Sequence, residues 1–133
     1  MKYEEVEETV FLVEEESRDL RERTLEFALR IVKLYGALPK STEAQVLGKQ
    51  LLRSGTSVGA NYREAFRSRS RAEFIAKLGI CLQELDESLY WFELLAKSKI
   101  ISVKRLEGLI DEADQLLAIF TAISKSTRFN SKS

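Results

Sequence analysis

The apolar positions of this chain fall into four helical stripes. In the first, Leu20, Thr24, Phe27, Ile31 and Leu34 recur at alternating steps of four and three, with Ala28, Val32 and Tyr35 alongside, the spacing that lines one face of an α-helix. Ser17 or Asp19 can cap its start, Gly36 ends it and Pro39 opposes continuation. Thr42 with Gln45 has the form of a capping box for a second helix that runs to Phe66 or Arg67. Ser70 with Glu73 has the same form for a third, whose stripe is Ile75, Leu78, Leu82, Leu85, Leu89, Phe92 and Ala96. Ser102 opens a fourth, with the stripe Val103, Leu106, Ile110, Ala113, Leu117 and Phe120. Four helices with short connections predict an all-α, antiparallel, up-down-up-down four-helix bundle over residues 17–124.

The second helix is unusual in carrying small residues where bulk is expected. Ala44, Leu47, Leu51, Ser54, Val58, Asn61 and Ala65 form one seam; Gly48, Leu52, Gly55, Gly59, Tyr62 and Phe66 form the next. Glycine inside a helix costs about 1 kcal/mol relative to alanine. Gly55 and Gly59, a GxxxG pair, are therefore expected where another backbone comes close, or else they mark a break between two shorter helices. Asn61, placed among apolar neighbours, is expected to bond a group on another helix and set register. Arg53, Asn61, Arg63 and Glu64 interrupt any apolar run of spanning length, so a membrane dimer is excluded. The third helix is apolar nearly all round from Leu89 to Leu95, where Glu93 is the one exception. With Trp91 and Leu95 on an adjoining seam, it needs cover on more than one side, which predicts association of the chain with copies of itself.

Two flanks lie outside the bundle pattern. Residues 1–16 are dominated by glutamate around a short apolar knot of Val10, Phe11, Leu12 and Val13, and read either as a solvated acidic extension or as a partner-binding segment. Residues 125–133, KSTRFNSKS, have no periodicity and are expected to form a polar, frayed tail. The whole chain of 133 residues balances 21 basic against 21 acidic side chains, so no global field draws it to nucleic acid or to a membrane surface. No secretory signal is visible ahead of the bundle, and the cytoplasm is the expected compartment.

Candidate chemistry is sparse. Histidine is absent, which removes the commonest general base and every nucleophile that depends on one. Cys81 is single and sits on an apolar seam, where an inert buried thiol is expected. Glu84 and Glu87 on the third helix, with Asp111, Glu112 and Asp114 on the fourth, superficially resemble the paired carboxylates of all-α nucleotide pyrophosphatases, although Asp111 stands where that pattern has Glu. A carboxylate-metal nucleotide phosphohydrolase is thus the alternative reading. Glu84 shares its seam with Cys81, Ser88 and Trp91 and, if buried, needs a partner such as Arg53. Arg63, Arg67, Arg69, Arg71 and Lys77 gather around the junction of the second and third helices and could contact RNA phosphates, or form an ordinary solvated junction. Gly55, Gly59, Asn61, Tyr62, Glu84 and Trp91 are the candidates for helix packing or oligomer contacts. No catalytic, cofactor-binding or metal-ligating residue is nominated.

The residues from Leu38 to Leu95 resemble the 23S rRNA intervening-sequence protein family. The resemblance is carried by Pro39, by the block from Arg53 to Ala65 (RSGTSVGANYREA), by Ser70, Arg71, Glu73, Phe74 and Ile75, by Lys77 and Leu78, and by Glu84, Leu85 and the run from Glu87 to Trp91. Gly59, Tyr62 and Ala65 represent a variant of a block that in many relatives reads closer to SIAANIAEG. The resemblance implies a left-handed four-helix bundle, often assembled as a ring-shaped homopentamer, with no established catalytic activity. Some members of that family are encoded within inserts of 23S rRNA genes, and a related branch assists reverse transcriptases by binding nucleic acid and the polymerase. The resulting expectation is a non-enzymatic, homo-oligomeric interaction protein, associated with RNA or with a nucleic-acid-processing protein, that needs no cofactor.

Overall fold

A computed structural model describes the backbone of residues 3–131 and the side chains of residues 19–128. Four helices make up the architecture: α1 (Tyr3–Gly36), α2 (Thr42–Phe66), α3 (Arg71–Lys97) and α4 (Val103–Ser131). α1 begins well before Ser17 or Asp19, because the glutamate-rich stretch continues the helix rather than preceding it. α4 likewise runs on through the C-terminal stretch expected to be frayed. The side chains of the Val10–Val13 knot lie outside the described residues.

The cap of α2 differs from the expected one. Ser41, not Thr42, is the N-cap, and its hydroxyl accepts from Ala44 N. Gln45 is thereby freed to donate from Nε2 to Pro39 O at 2.9 Å and to accept from Tyr35 Oη at 2.9 Å, which staples the α1–α2 connector to both helices. At α3 the Ser70 hydroxyl accepts from Glu73 N at 3.1 Å, while the Glu73 carboxylate accepts from Arg69 N, one residue outside the usual box. α3 ends in a Schellman turn: Ile100 N donates to Leu95 O and Lys99 N to Ala96 O, with Lys99 at φ 61° in the left-handed region that glycine usually fills.

The contacts between neighbouring helices fix their directions. Thr24, Ile31 and Leu38 of the first part of the chain meet Gly59, Gly55 and Gly48 of α2 in that order. Arg53 and Ser54 of α2 meet Glu87 and Ser88 of α3, Val58 meets Cys81, and Glu64 meets Lys77. Both series count up on one helix and down on the other, so α1 and α2, and α2 and α3, run antiparallel. α3 packs against both α2 and α4, whereas α1 and α4 close the bundle with the slightest contact. The two are joined there by Arg23, whose Nη2 donates to Glu112 Oε1 at 2.7 Å.

The core takes the α1 stripe whole but is rotated on α3 and α4: Cys81, Ser88, Leu95, Leu109 and Leu116 are buried, whereas Leu82, Leu89, Ile110 and Leu117 are only partly so and Val103 is exposed. Phe27, Leu51, Val58, Tyr62, Leu78, Leu85, Phe92, Leu106, Leu116 and Phe120 are wholly or almost wholly buried; removing each large side chain of this kind from water contributes about 1.5 to 3 kcal/mol. Tyr62 and Phe120 meet across the bundle at 5.3 Å between ring centroids, close enough for the tilted aromatic contact to add to burial. α2 is one unbroken helix, so its glycines do not mark a break. They form the face that α1 packs on. A β-carbon at Gly55 would stand 2.2 Å from Ile31 Cδ1, and one at Gly59 would stand 3.1 Å from Thr24 Oγ1 and 3.5 Å from the Thr24 backbone carbon.

Gly79, by contrast, faces open space. Gly59→Leu is expected to lower stability by about 1 to 3 kcal/mol through overpacking, and Gly79→Ala to raise it by about 1 kcal/mol through helix propensity. Chemical denaturation of the two variants checks both signs. Equal stability of Gly59→Leu and the unaltered protein would show that the α1–α2 seam has slack.

Candidate interaction surfaces

Gly55, Gly59 and Tyr62 are buried inside the chain, against α1 and the core, and are therefore packing residues of the single bundle. Asn61 departs from its expected role. Its Nδ2 donates to Ser57 O at 2.9 Å, one turn back on its own helix. That local acceptor is always in reach of an asparagine in mid-helix, so the amide is served without a partner helix. Register between α2 and α3 is marked instead by Ser54 and Ser88, both fully buried, whose hydroxyls lie 2.9 Å apart. Each also bonds its own helix: Ser54 to Leu51 O and Ser88 to Glu84 O.

Beside this pair, Arg53 bridges two carboxylates of α3. Its Nη1 donates to Glu84 Oε2 at 3.2 Å and its Nη2 donates to Glu87 Oε1. Glu87 also accepts from Trp91 Nε1 at 3.3 Å, and Trp91 stacks edge-on with Tyr90. The hydrogen bond from Arg53 is the main reason that the Glu87 carboxyl is held below its ordinary range. Among the described residues no three of His, Cys, Asp and Glu gather where they could hold a metal ion. Glu84 and Glu87 are engaged with Arg53, Glu112 with Arg23, and Asp111 with Gln115 Nε2. The carboxylates on which the phosphohydrolase reading depends do not converge.

Cys81 is fully buried, 3.6 Å from Val58 O, and burial pushes its thiol up to about 12. A groove between α3 and α4, lined by Leu82, Asp86, Leu117, Thr121 and Lys125, is mainly apolar.

The junction of α2 and α3 exposes Arg63, Arg67, Arg69 and Arg71. Lys77 is partly buried and tied to Glu64 at 3.0 Å. α1 adds a residue that sequence spacing does not reveal: the Arg21 guanidinium lies 4.4 Å above the Phe66 ring, a cation–π contact between residues 45 positions apart. It holds Arg21 at the basic end.

The third helix is better covered than its all-round apolarity predicts, because α2 and α4 flank it. Phe92 and Leu95 are buried, Leu89, Trp91 and Leu94 are partly so, and Tyr90 stays 55% exposed. The uncovered stripe is on α1, where Leu25, Leu29 and Val32 are 48%, 53% and 50% exposed at helical spacing. No helix among the described residues is long and apolar enough to cross a membrane.

Two measurements follow from this geometry. A carboxyl whose folded-state titration is lowered contributes stability above its unfolded range and loses it as pH falls through the folded one. Arg53→Met should therefore cost no more than about 1 kcal/mol at neutral pH, the scale of a largely exposed pair. That difference from the unaltered protein should vanish once pH is well below the carboxylate range. A pH-independent difference would mean that Arg53 acts through its aliphatic packing. The Cys81 thiol should be inert to Ellman's reagent at pH 8 in the folded protein and titrate as one thiol in denaturant; rapid reaction without denaturant would contradict its burial.

The sequence profile of the family described as 23S rRNA-intervening sequence protein matches residues 16–122. No curated protein matches the chain. A crystal structure of a protein of unknown function from the S23 ribosomal protein family of Bacteroides thetaiotaomicron is similar, with 43% identity and a TM-score of 0.75. The match covers 79% of this chain and 97% of that one. With the profile spanning most of the bundle and the same fold in a relative of this identity, the chain belongs to the 23S rRNA-intervening sequence protein family.

Proposed function

We propose that this protein is a non-enzymatic, cytoplasmic interaction module that assembles with copies of itself and associates with RNA or a ribonucleoprotein. The observation that carries the reading is the presence of two distinct exposed regions on its surface. One is the apolar flank of α1 at Leu25, Leu29 and Val32; the other is the basic end at Arg63, Arg67, Arg69 and Arg71. Three half-exposed aliphatic side chains in one stripe are the kind of patch that marks a protein contact. Exposed arginines beside an aromatic ring suit phosphate and base contacts with single-stranded RNA. The attribution of the Bacteroides relative to a ribosomal protein family supports the same direction. A closed ring of five copies is the assembly that the family resemblance favours.

Light scattering should return a multiple of the 15.2 kDa chain mass at micromolar concentration, and Leu29→Asp should shift it toward that unit. A monomer mass for the unaltered protein would overturn self-assembly. Fluorescence anisotropy with a labelled single-stranded RNA should show binding that weakens with salt and drops about tenfold or more for Arg67→Glu combined with Arg69→Glu. No loss in that variant would move the RNA contact elsewhere.

A further inference from the structure

The neutrality of the chain conceals a strong separation of charge. Residues 1–16 carry seven glutamates against one lysine, so the remaining residues, 17–133, carry twenty basic side chains against fourteen acidic ones. That excess is not spread evenly. The level of the bundle around the α2–α3 junction comprises residues 17–26, 60–78 and 118–131, as the contacts of Thr24 with Gly59, Arg21 with Phe66, Glu64 with Lys77 and Tyr62 with Phe120 establish. It holds ten basic residues against five acidic ones. Setting aside Arg23, which Glu112 pairs from outside this level, nine remain against five. The rest of the bundle is close to neutral. All four helices contribute to the basic end: Arg21 from α1, Arg63 from α2, Arg71 and Lys77 from α3, and Lys125 and Arg128 from α4.

The acidic segment leaves from that same end. α1 is level with the last residue of α2 at Arg21, and its helix continues back to Tyr3, a further rise of about 25 Å beyond the junction. Favourable interaction of acidic residues with the helix macrodipole accounts for Glu4 and Glu5, but it fades within the first turn. It gives no reason for Glu14, Glu15 and Glu16, which lie more than ten residues into the helix and next to the basic end.

We infer that the glutamate-rich first part of α1 is a built-in polyanion that competes with RNA for the basic end of the bundle. The inference rests on the RNA-association reading above. Seven glutamates in one helical segment give it a negative charge that a basic surface meets much as it meets phosphates, and the two fields overlap within roughly a Debye length near Glu14–Glu16. RNA then binds against the field of the acidic segment, which lowers affinity for any short or weakly charged strand and leaves long strands favoured.

The test uses the full chain, with charge removed while helix propensity is kept, since Gln and Glu are close in that respect. Glu14→Gln/Glu15→Gln/Glu16→Gln is compared with a charge-matched set at exposed positions away from this end, Glu43→Gln/Glu93→Gln/Glu107→Gln, and with neutralisation of all seven N-terminal glutamates. Binding of a labelled single-stranded 20-nucleotide RNA is read by anisotropy at low and physiological salt, and circular dichroism reports helix content for each protein. The seven-fold variant is expected to bind about tenfold tighter, with a steeper loss of affinity on adding salt, and the near triple to gain clearly more than the far triple. A far triple that equals the near one would reduce the effect to net charge and overturn the competition. Affinities of the seven-fold variant within twofold of the unaltered protein would overturn it as well, while leaving RNA binding intact. Failure of every protein to bind RNA would overturn both the competition and the RNA reading.

Discussion

The close approach of α1 to α2 is the constraint on which the rest of the bundle depends. Gly48, Gly55 and Gly59 remove three side chains from one face of α2, and Leu38, Ile31 and Thr24 occupy the space. Each glycine costs about 1 kcal/mol of helix propensity. The return is a nearer α1 that puts Phe27 and Ile31 fully into the core and lets Tyr62 reach Phe120 across the bundle. Thr24 fits under Gly59 because its hydroxyl is already served by Leu20 O at 2.7 Å, so burial leaves no orphaned donor there. A larger residue at Gly59 presses on the α1 backbone itself, which has no rotamer to change, whereas at Gly55 the obstruction is the flexible end of Ile31.

Polar groups inside the bundle follow the same economy. Ser54 and Ser88 sit at the α2–α3 contact, where their mutual bond and their bonds to their own helices allow close packing of small side chains. Among the described residues no buried side-chain nitrogen or oxygen lacks a hydrogen-bond partner. Charged groups stay at the rim, as Arg53 with Glu84 and Glu87 and Arg23 with Glu112 illustrate. Pairs this exposed set helix registry more than they add stability.

The helical period and the terminating signals made the four elements and most of the core legible in the sequence, because a stripe such as Leu78, Leu82, Leu85, Leu89 and Phe92 has no other economical reading. The need of Glu84 for a cation on the neighbouring helix was legible too, from the cost of burying a carboxylate alone. Which residues a face meets was harder. Asn61 looked like a cross-helix bond but bonds Ser57 O, since a local i−4 acceptor competes with any partner and leaves no trace in spacing. The all-round apolarity of Leu89–Leu95 pointed to an uncovered α3, yet a helix with two neighbours hides most of its circumference. Among the described residues, single exposed apolar side chains occur on every helix, but three at helical spacing, Leu25, Leu29 and Val32, are on α1, the helix with slight contact to α4. The start of α1 was missed because repelling glutamates mask helix propensity that is individually high.

Among the described residues the buried polar side-chain atoms are satisfied, the Cys81 thiol is silenced by burial and no carboxylates gather as a metal site would need. Perturbed titration among the described residues reflects burial at Cys81 and ion pairing at Glu87, Arg53 and Arg23. The proposed function rests on what the bundle displays, and the display is polarised along its long axis. The whole-chain charge balance is a poor guide to such a surface, since it averages an acidic helix segment with the basic end it departs from. Within a Debye length of the α2–α3 junction, an approaching polyanion meets those two regions separately, and the arrangement of charge along α1 decides which of them it feels first.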